Sequence, residues 1–135
     1  MIDSLLKLCG VNDDGFVIAD GSGVSRYNLL SSEILVEVLK YIYYEYSESF
    51  DLFYNSLPVA GKDGTLSERM KGTTAEGNVH AKTGTLRGVS CLSGYVTGKN
   101  NHLIAFSIIE QNFVNQTSFA RIIQDQICII LSKYE

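Results

Sequence analysis

The chain has 135 residues, 45% of them hydrophobic and 19% charged, with one proline and a formal net charge of −4. That composition describes a single ordered unit with its own core rather than a tail, and no basic run or aromatic-plus-basic stripe points to a nucleic-acid partner. No apolar run approaches transmembrane length, and the opening "MIDSLLKLCG" lacks a charged stretch followed by a cleavable apolar segment, so neither a transmembrane segment nor a signal sequence is expected in it.

In chain order, residues 2 to 9 predict a short amphipathic helix stopped by Gly10. "GFVIAD" (15 to 20) predicts a brief strand, and "DGSGVSRYN" (20 to 28) a loop that uses the backbone freedom of glycine. A helix is expected after Ser31 and Ser32, with Ile34, Leu35, Val38, Leu39, Ile42 and Tyr46 on one face. "TLSE" at Thr65 has the form of a capping box and predicts a second short helix ending at Gly72. Three strands follow, over 79 to 86, 89 to 97 and 102 to 110, the first two joined at Arg87-Gly88 and the last two by "GKNN". The last helix is expected after Thr117 or Ser118, with Phe119, Ile122, Ile123, Ile127, Ile130, Leu131 and Tyr134 as its apolar stripe. A three-stranded antiparallel meander covered by helices is an α+β arrangement.

Cys9, Cys91 and Cys128 form no C-x-x-C and are expected to act as small buried apolar residues. His80 and His102 have no companion carboxylates at ligand spacing, so no metal site is expected. "GKDGT" lacks the full phosphate-loop pattern, and "DGSG" does not match G-x-S-x-G, so Ser22 and Ser25 are expected to be structural loop residues.

The stretch "NVHAKTGTLRGVSCLSGYV" (78 to 96) places lysine and glycine inside a strand, where both are poor formers. Alternation sets Lys82 and Gly84 on one face, so a positive charge stands beside a position with no side chain. That combination predicts a strand edge that receives an extended, anionic ligand.

Together with "DGSGVSRYNLLS" (20 to 31) and "LPVAGKDGTLSERM" (57 to 70), the "HAKTGTL" block resembles the C-terminal part of the D-alanyl-D-alanine carboxypeptidase/endopeptidase family related to penicillin-binding protein 4. The resemblance spans roughly residues 3 to 110. It implies that residues 1–135 are one C-terminal segment of a penicillin-recognising serine transpeptidase/beta-lactamase-like fold, with no second domain. It also implies a substrate, the peptidoglycan stem peptide ending in D-Ala-D-Ala, with beta-lactams bound by the full-length enzyme in the periplasm or cell envelope and no cofactor or metal. Lys82 of the K-T-G motif would take catalytic and substrate-binding roles by anchoring the terminal carboxylate. Thr83 would contact the same carboxylate, although strict alternation points it away; Gly84 would leave room; and the Thr85 N–H would be one oxyanion-hole donor.

The chain departs from the family in what it lacks. It contains no Ser-x-Asn, and its one S-x-x-K, Ser4 to Lys7, lies just ahead of "DGSGVSRYN", where the family has an ordinary helix. The nucleophile is therefore expected outside this sequence and the isolated chain is expected to be inactive. A non-catalytic module of the same fold that binds a partner or peptide is the alternative; an S-x-x-K and an S-x-N encoded ahead of Met1 would decide for the enzyme. In the family's fold the sheet is completed by strands from an N-terminal portion, which would leave strand 102 to 110 an uncovered edge here; "HLIAFSII" is apolar and β-prone, so the chain is expected to form a homo-dimer through it.

Overall fold

The computed structural model describes residues 2–11, 15–114 and 117–135. Its elements are α1 (Ile2–Leu8), α2 (Ser32–Glu45), α3 (Ser47–Ser56), β1 (His80–Leu86), β2 (Val89–Thr97), β3 (Leu103–Gln111) and α4 (Thr117–Leu131). The strands form one antiparallel sheet in the order β1-β2-β3, which is the expected α+β meander. Leu86 pairs with Val89 across Arg87-Gly88, and Gly88 takes φ +76°, a left-handed conformation that glycine adopts without a Cβ penalty. Gly10, at φ +78°, ends α1 in the same way.

The two faces of the sheet have separate cores, because side chains alternate along each strand. On one face Ala81, Leu92, Val96 and Phe106 pack with Leu66, Met70, Ala75 and Val79 and with Cys128 of α4. On the other, Tyr95 meets Leu39 of α2, Leu57, and Phe50, Phe53 and Tyr54 of α3. The Tyr95 hydroxyl donates to the Leu39 carbonyl at 2.7 Å, so its one polar group is satisfied, and burial pushes its pKa up to about 12. Ser31 caps α2 by accepting the Ile34 N–H at 3.2 Å.

Several expectations change. The strand over 15 to 20 reduces, among the described residues, to a single bridge between Val17 and Leu29. The helix from Thr65 to Gly72 is only a 3₁₀ turn, Gly64–Leu66, and Thr65 lies inside the turn instead of capping it. α3 was not foreseen, although Phe50, Phe53, Tyr54 and Leu57 fall at the helical spacing i, i+3, i+4 and i+7; no side-chain cap marks its start. On α4 the buried residues are Ala120, Gln124 and Cys128, whereas Phe119, Ile122, Ile123, Ile130 and Tyr134 of the expected stripe are exposed. The helix has turned its small and polar residues to the sheet. Thr117 and Ser118 lie inside α4, and the residues just ahead of it are outside those described. Of the cysteines, Cys128 is buried as expected and Cys9 and Cys91 are half-buried.

At Gly94 the backbone of β1 leaves no room for a side chain on β2. A Cβ there would run into the His80 carbonyl oxygen and stand 2.6 Å from Ala81 Cα, both backbone atoms that no rotamer change can move. Gly94→Ala is expected to destabilise the chain by about 3 kcal/mol, the upper end of overpacking penalties, read as a shift of the urea midpoint at unchanged slope.

Candidate functional site

The outer edge of β1 is covered for only part of its length. The Ala81 N–H donates to the Pro58 carbonyl and the Ala60 N–H to the Val79 carbonyl, each at 2.9 Å, and Val59 bridges to His80. Beyond Ala81 the covering segment turns away. In an antiparallel ladder successive residues point their backbone groups alternately toward and away from the partner strand. Ala81 points outward, so Thr83 and Thr85 do too. Among the described residues no hydrogen-bond partner is found for the N–H of either threonine.

Lys82 stands at this open stretch with its side chain exposed, its ammonium donating to the Thr83 carbonyl oxygen at 2.7 Å. Thr83 points its hydroxyl to the other face, as alternation predicts, and donates to the Thr65 hydroxyl at 3.0 Å. A Cβ at Gly84 would meet only Cys91, at 3.4 Å from its Cβ, and Gly84 has no left-handed φ. The contrast with Gly94 is informative: no backbone crowding inside this chain demands glycine at 84, and what its missing side chain leaves free is space above the strand. On that face a groove of about 610 Å³ runs between the β1–β2 hairpin and the 21–31 loop, past Ser25, Leu35, Leu86 and Cys91.

Two neighbours set the electrostatics. The His80 ring, on the same face as Lys82, stacks on Tyr54 with centroids 3.9 Å apart, and its Nδ1 lies 3.3 Å from the Tyr54 carbonyl. Burial lowers its pKa, opposed by that hydrogen bond and by Asp63, so His80 favours its neutral form. The 20–28 loop is held internally. Asn28 Oδ1 accepts the N–H groups of Ala19 and Asp20 at 2.7 and 3.1 Å, and Asp20 Oδ1 accepts those of Ser22 and Gly23 at 3.2 and 3.3 Å. Ser22 and Ser25 accept backbone N–H groups from Val24 and Tyr27, the structural use expected of them. Ser4 is exposed on α1, and among the described residues no hydrogen bond joins it to β1.

Behind the open edge lies a polar row that the sequence did not reveal. Thr85 pairs with Ser90 and Ser90 with Glu110, so the three cross the sheet in one line on the α4 face. Gln124, fully buried, donates to the Ser90 hydroxyl at 3.0 Å and accepts from Arg69 at 3.1 Å. Arg69 also holds Asp125 at 2.7 Å and donates to the Arg121 carbonyl at 3.1 Å. The row was hidden because Gln124 sits among isoleucines and Arg69 lies 55 residues away from it. One oxygen of Glu110, Oε1, is buried without a partner.

A model of the D-Ala-D-Ala carboxypeptidase 3 (S13) family matches residues 1–134. A D-alanyl-D-alanine carboxypeptidase of Actinomadura sp. (strain R39) is 41% identical over 98% of this chain and 25% of that protein. D-alanyl-D-alanine carboxypeptidase DacB of Haemophilus influenzae is 36% identical, over 78% of this chain and 22% of that one. Among solved structures, penicillin binding protein 4 from Haemophilus influenzae in complex with a beta-lactam superimposes with a TM-score of 0.82 at 32% identity. That match covers 98% of this chain and 32% of that one. The chain thus spans about a quarter of the length of the curated relatives it matches, and its fold is the penicillin-recognising one expected from the resemblance.

Burial pushes the Glu110 carboxyl above the ordinary glutamate range, and the Arg69 guanidinium pulls it back in part. A carboxyl raised in the folded state weakens the fold as pH climbs from the unfolded pKa, about 4.3, through the raised value. Glu110→Gln is therefore expected to raise Tm at pH 7, and the gain to vanish below about pH 4, where glutamate is protonated in both states. An equal gain at both pH values would rule out ionisation as its cause.

Proposed function

The chain belongs to the D-Ala-D-Ala carboxypeptidase 3 (S13) family, and on that premise we propose that it supplies the substrate-carboxylate-binding segment of a serine-type D-Ala-D-Ala carboxypeptidase/endopeptidase acting on peptidoglycan peptides. The observation that carries this reading is the uncovered stretch of β1, where the outward Thr83 and Thr85 backbone groups stand beside an exposed Lys82. An extended stem peptide would lie along this edge as an added strand, exchanging main-chain hydrogen bonds with Thr83 and Thr85. Its terminal carboxylate would draw the Lys82 ammonium from the Thr83 carbonyl, replacing a neutral acceptor by a charged one. The freed carbonyl would then be available to a peptide N–H.

The Thr85 N–H would donate to the scissile carbonyl oxygen as negative charge develops on it during acyl transfer. Gly84 would leave space for the chain end over the strand. Thr83 could add its hydroxyl to the carboxylate only by releasing Thr65, so its side chain would act after a rotamer change. A beta-lactam carries a carboxylate next to a reactive carbonyl and would use the same two groups. The serine that forms the acyl-enzyme would come from an S-x-x-K outside this sequence, no cofactor being required, and the complete enzyme would work in the periplasm or cell envelope. Pairing of the isolated chain with a second copy through the outer edge of β3 belongs to the same reading, since that edge would be covered in a complete enzyme.

Two measurements test it. The 135-residue chain, incubated with penicillin, is expected to show no covalent adduct by mass spectrometry; an adduct on any of its serines would place the nucleophile inside it. In a complete enzyme containing this segment, Lys82→Ala is expected to slow acylation about 10- to 150-fold, the equivalent of one charge-assisted hydrogen bond, with Lys82→Arg in between. Acylation of Lys82→Ala at the unaltered rate would remove the anchor role.

A further inference from the structure

Thr85 turns its backbone groups away from β2, so it faces Ser90 in a pair without main-chain hydrogen bonds, the kind in which opposite side chains stand closest. By the same alternation Ser90 turns its own backbone groups to Glu110 of β3. The ladder bonds of β1 therefore fall on the neighbours of Thr85, at the Gly84–Cys91 and Leu86–Val89 pairs. What sets the height of Thr85 between them is the side chain lying opposite on the α4 face.

That side chain, Ser90, is held in place. Ser90 is 2% exposed and Gln124 is fully buried, and Gln124 Nε2 donates to Ser90 Oγ at 3.0 Å. An amide can present either its oxygen or its nitrogen, and Arg69 removes the choice. A guanidinium carries donors only, so Gln124 turns its oxygen to Arg69 at 3.1 Å and keeps its N–H for Ser90. Arg69 is itself fixed, donating from Nε to Asp125 at 2.8 Å and from Nη2 to the Arg121 carbonyl at 3.1 Å. The direction of donation is thus set from Arg69 through to Ser90.

The segment that carries Arg69 also reaches β1 directly, because Thr65 accepts the Thr83 hydroxyl at 3.0 Å. One short stretch holds β1 at Thr83 and, by way of α4, the residue opposite Thr85. Stability alone does not call for such a row. Buried polar and charged groups replaced together by apolar ones of similar volume often leave a fold equally stable or more so. Farther along the same face the core is apolar, with Ala81, Leu92, Val96 and Phe106. Hydrogen bonds supply what that packing lacks, a fixed direction.

We infer that Gln124, oriented by Arg69, is a positioning residue for the oxyanion strand: through Ser90 it sets the height of Thr85 and so the aim of the Thr85 N–H. The assignment rests on the reading of the β1 edge as the substrate site, and it adds a residue of the last helix that does not touch the substrate. A donor that stabilises developing charge must point to where the oxyanion will stand, and a misplacement of ~1 Å costs about 100-fold in rate.

Penicillin acylation of a complete enzyme containing this segment tests the role, with the dissociation constant before acylation separated from the limiting acylation rate. Gln124→Leu is expected to lower the limiting rate about 10-fold, less than the roughly 100- to 1,000-fold cost of deleting an oxyanion donor outright. The dissociation constant is expected to stay within about twofold, because the Lys82 anchor is intact. The infrared stretch of the acyl-ester carbonyl is expected to move to higher wavenumber as its hydrogen bond to the Thr85 N–H weakens. Ser90→Ala, which removes only the hydroxyl, should change both readouts in the same direction, and it serves where Gln124→Leu does not fold. Ser132→Ala is the control for stability. It loses hydroxyl bonds to Thr74 and to the Ile129 carbonyl at the far end of α4, and should lower Tm without altering rate or stretch.

Unaltered rate and stretch in Gln124→Leu and Ser90→Ala, beside a slowed Lys82→Ala, would overturn the positioning role and keep the edge as the substrate site. A slowed Gln124→Leu with an unmoved carbonyl stretch would overturn it too, since the loss would then lie outside the oxyanion contact. An equal loss of rate in Ser132→Ala would do the same by making stability the cause. An unaltered Lys82→Ala would remove the edge reading and the positioning role with it.

Discussion

The register of β1 against β2 is the constraint on which the site depends. Because Leu86 pairs with Val89 across a two-residue turn, the odd-numbered residues of β1 present their N–H and C=O groups to the outside. A slip of one residue would turn the Thr83 and Thr85 amides into the ladder and carry Lys82 to the α4 face. Two features hold that register. Ala81 can lie against β2 only because residue 94 has no side chain, and Ala81 is then bonded by Pro58 from the other side. The open edge begins immediately after this clamp.

The sheet also separates two environments. On the α2–α3 face the aromatic cluster around Tyr95 surrounds the start of β1, and His80 is stacked there as a neutral ring two residues before Lys82. On the α4 face the aliphatic core is interrupted by Arg69, Gln124, Ser90 and Glu110, which lie in line with Thr85. Arg69 and Gln124 join the turn before β1, the last helix and the middle strand through directional bonds, which tolerate less sliding than aliphatic contacts. The partnerless oxygen of Glu110 is the weak point of this arrangement.

The strands were legible because their signals are local. Alternation, the Arg87-Gly88 turn and the "GKNN" loop lie within a few residues of the pairs they create, and the three strands fall within a residue of their expected bounds. α2 was legible for the same reason, through Ser31 and its apolar spacing. The short helices were less so. "TLSE" carries a capping pattern, yet Pro58, Asp63 and the return to β1 constrain the segment to a single 3₁₀ turn: Asp63 accepts the Val59 N–H at 2.8 Å, and Leu66 packs fully buried beneath.

The sequence by itself determined the three strands, the two principal helices, the position of Lys82 and Gly84 on one face, and the family through three ordered blocks. Each of these rests on spacing within one segment or on residue identity. Only the tertiary structure decided which face of α4 is buried, because a helix with apolar residues on most of its circumference has no unique apolar side. There the Arg69–Gln124–Ser90 bonds select the orientation, since a glutamine and an arginine brought into a core must find partners. The tertiary structure likewise decided that the edge of β1 is closed at Ala81 and open at Thr83 and Thr85, because that depends on where a segment more than 20 residues earlier turns away.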